Sequence, residues 1–279
     1  MFDLVTVGHA ARDEFAGETD WRLGGSAVYG AATAARLGAR TALLTRVGPN
    51  ERARLAARCA ELGIELHALP SEATTTFAFR YDEGHRTLKL RARARGIDAA
   101  ALPAPLRETR SVVLASIAHE LAPSLFDAFA SAARVLVAQG YLRAWDADGT
   151  VRKRDWEDPG TLLSRVDAAV LSEEDLGGDL AVARRWAEST AVIVTLAERG
   201  ALAITRDGEV AVPSFAVERV VDPTGAGDAF AAGLALALAD GRALPDAVRY
   251  ANAVASFAVE GKGTEALGTA EQVEARMRG

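Results

Sequence analysis

Val221-Asp222-Pro223-Thr224-Gly225-Ala226-Gly227-Asp228 joins two kinds of sequence. The run before it, from position 217, reads as strand-like; residues 229–239 after it are uncharged, rich in Ala and Leu, and read as a helix. Strand, glycine turn and helix in that order suit an anion. Gly225 and Gly227 permit close backbone approach, and the unpaired N–H groups at a helix start, with the positive end of its dipole, attract negative charge. Asp228 falls in the first helical turn. A helix-starting aspartate after an ordinary glycine turn is the other reading, and the local pattern leaves both open. The G-x-G-x-x-G fingerprint fails because position 230 is Phe, and G-x-x-x-x-G-K-[ST] is absent because Gly261-Lys262 is followed by Gly263. In phosphoryl transfer a carboxylate beside the nucleophilic hydroxyl orients it and accepts its proton while the protein stabilises charge, and Asp228 next to an anion-holding turn supplies both parts.

Outward from this segment, apolar runs of strand length recur at residues 4–7, 42–47, 112–115, 135–138, 168–171 and 192–195. Helix-period segments lie at 26–37, 51–62, 180–189, 229–238 and 246–259, with apolar positions three and four apart. Strands alternating with helices predict an α/β fold with a mostly parallel sheet covered on both faces, and ligands then bind beyond the carboxyl ends of the strands. Two stretches break the rhythm. Residues 74–81 and 86–90 flank Asp82-Glu83-Gly84 and predict a β-hairpin, after which Lys89, Arg91, Arg93 and Arg95 alternate with apolar residues, as a charged face guarding a sheet edge would. A second hairpin, 203–212, is expected to turn at Asp207-Gly208 in type I′ geometry.

The chain has 279 residues, of which 49% are hydrophobic and 25% charged, the balance of a folded globular protein. A length of this order hides roughly 70% of the unfolded surface, enough for one large core in a single domain. A formal charge of -6 argues against nucleic acid as a main partner. The longest uncharged apolar run, 229–239, falls well short of the roughly 18 residues that cross a bilayer, and the acidic start lacks the basic-then-apolar order of a signal peptide. No membrane partner and a cytoplasmic location are therefore expected. Cys59 is the lone cysteine, which excludes an internal disulfide and cysteine-rich zinc sites, and the four histidines are scattered.

The segment 222–230, DPTGAGDAF, near the C-terminus resembles the second signature of the ribokinase-like (PfkB) carbohydrate kinase family. Gly24-Gly25-Ser26-Ala27-Val28-Tyr29-Gly30-Ala31, running on to Leu37-Gly38, resembles the first, although alone it reads as a glycine turn capped by Ser26. The resemblance implies a three-layer sandwich with a small β-sheet lid, formed here by about 10–23 and 74–95, which closes over the substrate and excludes water. It implies ATP-dependent phosphotransfer, with Mg2+, to a hydroxyl of a small sugar or cyclic polyol. By the same resemblance Asp228 matches the catalytic base, and Gly225, Ala226 and Gly227 match the anion hole. Asp13 and Gly25 match substrate-binding positions. Thr195, Ala197 and Gly200 are similar to the nucleotide loop, and Asn252 falls at an adenine-side contact. Asp222 and Thr224 lie where some members bind a monovalent cation such as K+, or serve as turn residues.

Departures narrow the substrate. Tyr29 stands where the family usually has Asn, making the pocket more aromatic. The N-x-x-E element that orders magnesium and phosphate is replaced by Ser172-Glu173-Glu174-Asp175, so that Asp175 would hold magnesium through water, or Ser172 would simply cap a helix. Ala197 replaces a frequent glycine. Substrate identity is expected at strand ends, from His119-Glu120 and from Gln139 and Arg143, with Ser26 and Tyr29 giving a set nearer the inositol-kinase branch than ribokinase; Arg143 alternatively pairs with Asp146 or Asp148. A nucleoside kinase, with Tyr29 stacked on a base, and a non-catalytic ligand-binding protein of the same fold are the alternatives. Monomer and homodimer both remain open.

Overall fold

The six expected apolar runs all become strands, and each finds the neighbour that buries both its faces. The computed structural model describes residues 1–82 and 85–279. Nine strands form one sheet in the order Gly208–Val212, Ala201–Thr205, Ala191–Thr195, Ala168–Ser172, Ala133–Val137, Thr109–Ala115, Phe2–Val7, Thr41–Val47, Glu65–Pro70. The last seven run parallel, and the first two are antiparallel additions at one edge. Glu65–Pro70 escaped the sequence pattern because, as an edge strand, it is mostly half-exposed and alternates polar with apolar residues.

Alternate residues of the central strands feed two cores. Leu4, Leu43, Val113, Val135, Val170 and Ile193 pack with helices Ser26–Arg36, Ala226–Ala239 and Leu244–Ala258. Val5, Leu44, Leu114, Leu136 and Val194 pack on the opposite face with Phe126, Phe129, Leu163 and Trp186. This is the ribokinase-like three-layer sandwich. No described helix is long and apolar enough to cross a membrane.

A second sheet has the order Arg22–Gly24, Ala11–Phe15, Thr75–Asp82, His85–Ala92 and is antiparallel except between Ala11–Phe15 and Thr75–Asp82. It forms from the two segments expected to supply the lid, about 10–23 and 74–95. The turn at Glu83-Gly84 lies outside the described residues. A short hairpin, Arg143–Trp145 with Val151–Lys153, extends this sheet: Leu90 N–H donates to Gly149 O at 2.8 Å, and Lys89 bridges to Thr150. Gly149 has φ +82, and a Cβ there would lie 2.4 Å from Leu90 O, so glycine is required.

Three expectations are corrected. Positions 217–221 do not form a strand; Val217 and Val220 line the main cleft, and the Val221 and Asp222 amides donate to Val259 O. The 203–212 hairpin turns at Arg206-Asp207, because Thr205 pairs with Gly208, and neither turn residue has the positive φ that type I′ demands. Glu120 does not reach a substrate position. Its carboxylate is 1% exposed and accepts from the amides of His9, Ile117 and Ala118 and from the Ser116 hydroxyl. Burial pushes its pKa up, but His9 and these amides outweigh that and hold it below the ordinary carboxylate range.

Glu120→Ala strips four donors of their acceptor at once and should lower the unfolding free energy by about 3 kcal/mol or more, read from the urea midpoint at unchanged slope. A midpoint within error of wild type would show that the network carries no net stability.

Candidate active site

The carboxyl ends of the parallel strands and the inner face of the small sheet enclose a cleft of about 950 Å³. Helix Ala226–Ala239 points its N-terminus into it. Gly225 is the residue before that helix, in the left-handed conformation at φ +85, and a Cβ there would stand 2.9 Å from the Tyr29 ring. The glycine is thus needed twice, for its backbone and for the aromatic ring against it. The turn leaves the first-turn amides without intrahelical acceptors, and Asp228 is the third helical residue, opening onto the cleft.

Burial lifts the Asp228 carboxyl to about 6; the Ser26 hydroxyl bonded to it and Arg143 pull it down, and Asp175 pushes it up. Ser26 is therefore no helix cap, since Gly25 holds the position before the helix and no side chain caps it. Gly25 is itself at φ +102, with no room for a Cβ beside His9 O. Across the cleft Asp13, on strand Ala11–Phe15, is 6% exposed. Burial raises it to about 7, with Arg143 opposing and Asp228 adding to the rise. Gly24 exists to receive Asp13, whose Oδ2 would lie 2.0 Å from a Cβ there. Arg143 enters from the short hairpin, 5.6 Å over the Phe77 ring. Asp146 and Asp148 pair instead with Arg152 and Lys89. His119 stays behind this wall and donates its Nε2–H to Arg143 O at 2.6 Å, so it braces the hairpin.

The far side of the cleft is built from strand-end loops. Ser172 and Asp175 form a reciprocal capping box: the Asp175 amide donates to Ser172 Oγ (3.0 Å), and the Ser172 amide to Asp175 Oδ2 (2.9 Å). Gln139 Nε2 donates to the remaining Oδ1 at 3.2 Å. Thr195, Ala197 and Gly200 line the next wall, Ala197 at φ 53, a backbone that favours glycine. Both Asn252 donor hydrogens are committed, to Val212 O at 3.0 Å and Pro213 O at 3.1 Å, which fixes the wall that Phe215 and Val217 complete.

Of the residues singled out in the sequence, Asp13, Gly25, Ser26, Tyr29, Gln139, Arg143, Ser172, Asp175, Thr195, Ala197, Gly200, Asn252 and Thr224 through Asp228 all line this one cleft. Asp222 lines a neighbouring cavity instead. Sequence reasoning missed the aromatic inner face of the small sheet: Phe15, Phe77, Phe79 and Leu88, with Phe15 and Phe79 stacked at 4.8 Å. The i, i+2 spacing of Phe77 and Phe79 on one strand face was the available signal.

Among the described residues no three His, Cys, Asp or Glu side chains stand close enough to cage a metal. A magnesium ion needs no such cage, because it keeps several waters and uses one or two carboxylates with substrate phosphates. Asp175, near enough to Asp228 to raise it, fits that requirement. The K+ expectation fits poorly. Asp222 Oδ1 accepts the Thr224 amide at 2.9 Å, and its other oxygen faces Arg22 Nη1 at 3.8 Å.

The chain matches the pfkB family of carbohydrate kinases over residues 2–270. It is 35% identical over 126 residues to an inositol 3-kinase of Arabidopsis thaliana, a stretch that covers 44% of this chain and 35% of the relative, so the match spans about a third of that protein's length. In structure it is similar to a pyrophosphate-dependent kinase of the ribokinase family complexed with a pyrophosphate analog and myo-inositol, at TM-score 0.79, 21% identity and coverage of 98% and 99% of the two chains. An Arabidopsis thaliana ribokinase complexed with ribose and ATP gives TM-score 0.77 at 20% identity, covering 100% of this chain and 99% of the other. A family match across nearly the whole length, on a fold with the cleft at the expected strand ends, means that the chain belongs to the pfkB family of carbohydrate kinases.

Proposed function

We propose that the protein transfers the γ-phosphate of ATP to a hydroxyl of a small sugar or cyclic polyol, with Asp228 as general base and the amides of Gly225, Ala226 and Gly227 as the anion hole. The observation that carries this reading is the position of Asp228: third residue of a helix whose open N-terminus faces the cleft, with burial holding its pKa at about 6. A carboxylate at that value is ionised at neutral pH yet accepts a proton readily. The first-turn amides lie where negative charge builds up on the transferred group, a preorganised field that needs no rearrangement during reaction.

The remaining roles follow from which wall each residue occupies. Asp13, Gly25, Ser26, Tyr29, Gln139 and Arg143 would meet the acceptor, with Asp13 and Arg143 binding neighbouring hydroxyls. Thr195, Ala197, Gly200 and Asn252 would meet the nucleotide, whose base would lie against Phe215, Val217 and Val259. Mg2+, held through water by Asp175 with Ser172 beside it, would neutralise charge on the donor phosphates. Closing the small sheet as a lid over 10–23 and 74–95 would exclude water, so that the acceptor takes the phosphate. All lining residues come from one chain, so the reading works for a monomer or a homodimer, within one catalytic domain spanning 1–279 and in the ATP-rich cytoplasm. The aromatic face of Phe15, Phe77 and Phe79 supports a second reading, a nucleoside acceptor whose base stacks there. A non-catalytic binding protein is the weaker alternative, because it gives the raised Asp228 no task.

ADP release from Mg-ATP should appear with one class in a panel of sugars, inositols, other polyols and nucleosides, and Asp228→Asn should cut turnover by at least about 100-fold while ATP binding persists. Near-normal turnover in that variant would remove the base role. Because only ionised Asp228 accepts the proton, kcat/KM should climb from pH 5, about tenfold per unit below its value of about 6, and level off by about pH 8; a flat profile over that range would contradict the assignment. Asp13 gives a stability test. Its folded value of about 7 exceeds the ordinary 3.8, so its contribution is full below about pH 4 and is lost as pH rises through 7. Asp13→Asn should therefore melt several degrees above wild type at pH 8, at about 3 °C per kcal/mol, and show little gain at pH 4 in calorimetry.

A further inference from the structure

Asp222 opens the catalytic turn, and both of its oxygens are spoken for. Oδ1 closes the turn on the Thr224 amide. Oδ2 faces a guanidinium from a different part of the molecule: Arg22, on strand Arg22–Gly24 of the small sheet, where it stands in register opposite Asp13. That guanidinium is held in place rather than loose in solvent. It lies 4.2 Å over the Phe15 ring, and Glu18 clasps its Nε–Nη2 edge, which leaves Nη1 directed at Asp222. The Asp222 carboxylate is 16% exposed and the Arg22 side chain 38%, so solvent screens this charge contact mainly from the arginine side.

A monovalent cation at Asp222 would need an anionic oxygen with an open side, reached without passing a fixed positive charge. The open side here is the second cavity, of about 660 Å³, and Arg22 and Lys262 both line it beside Asp222 and Thr224. We propose that Arg22 is a positioning residue that supplies from within the chain the positive charge the catalytic turn requires, and that this protein therefore works without activation by a monovalent cation. The inference rests on the kinase reading above. It adds a consequence: because Arg22 rides on the small sheet, Asp222 and the amides of Gly225 to Gly227 are held in order only when that sheet lies against the cleft. Acceptor binding under the sheet and readiness of the phosphate site are thereby linked through one ion pair.

The test uses the full chain in salts of tetramethylammonium, Na+ and K+ at equal ionic strength, with the acceptor identified by the panel. Wild-type kcat should agree within about twofold across the three salts, whereas Arg22→Met should lose at least about tenfold in kcat in tetramethylammonium, with KM for ATP little changed, and recover most of it in KCl. Arg22→Lys, which keeps the charge, should remain independent of K+. A second reading needs no activity: about 100 mM KCl in place of tetramethylammonium should raise the melting temperature of Arg22→Met but not of wild type, since only the vacated site binds K+. The proposal is overturned if K+ activates or thermally stabilises wild type, if Arg22→Met keeps full kcat without K+, or if its lost rate returns with no cation. Absence of turnover by wild type in every salt would instead reject the kinase reading, and the melting comparison would still decide the role of Arg22.

Discussion

A carboxylate held at the N-terminus of a buried helix is the constraint from which the rest of this architecture follows. Asp228 has to be close to open amides and far from bulk water, which means the helix start must lie inside the molecule, over the strand ends. A helix so placed is buried along most of its length, so Ala226–Ala239 is built from Ala, Leu, Gly and Phe with no charge after Asp228. Its small residues let neighbours close in. Gly233 is an instance: a Cβ there would come within 3.1 Å of Val254 Cγ2, on helix Leu244–Ala258. The apolar sequence that could be mistaken for a short membrane segment follows from burying this helix beneath the cleft.

The second requirement is that the small sheet sit accurately over Asp228. The chain crosses between the two sheets near Ala10, Gly25, Thr75 and Ala94, and one buried histidine ties most of these crossings. His9 Nδ1 meets Thr75 Oγ1 at 2.7 Å, and its Nε2 meets Arg95 O at 2.8 Å. Thr75 Oγ1 also accepts the Ala94 amide, and the Ala10 amide donates to Thr45 Oγ1 on the main sheet. Burial lowers the pKa of His9 and Glu120 opposes the shift; the ring donates Nε2–H to the Arg95 carbonyl and receives the Thr75 hydroxyl at Nδ1, which bridges two strands. Glu120 receives the His9 amide from beneath. Polar groups are affordable here only because nearly every one is paired.

What could be read from the sequence was whatever depends on local order. The central strands, the long helices and the 222–230 turn each announce themselves within about ten residues, through apolar runs, helical spacing and paired glycines. Apart from Asp222, which lines the neighbouring cavity, the site residues matched to those motifs gather in one cleft. What stayed hidden depends on distant partners. Glu120 has the same composition signal as a substrate-binding acid, and only the fold reveals the three amides that claim it. The valines at 217, 220 and 221 have strand composition but no strand to pair with; two of them serve as cleft wall. Asp146-Ala147-Asp148-Gly149 held a turn signal that went unused, and the hairpin it closes carries Arg143 to the site.

Asp13 and Asp228 share a low-dielectric space with Arg143, and that trio explains why the cleft is poised but not optimised for stability. Burial raises both carboxyls, Asp228 adds to the rise at Asp13 and Asp175 to that at Asp228, and the single Arg143 guanidinium lowers both without cancelling either rise. A fold selected for stability alone would replace one carboxylate with an amide. On the proposed reading, keeping both ionisable would give an acceptor hydroxyl two hydrogen-bond acceptors of graded basicity, one near 7 and one near 6. The more basic of the two is the less exposed to solvent, so an acceptor hydroxyl that donates to Asp13 would relieve a desolvated charge on binding. Part of the binding energy would then be available only to ligands with a hydroxyl at that position, and this, rather than cavity shape alone, would select a hydroxylated acceptor over an apolar one of the same size.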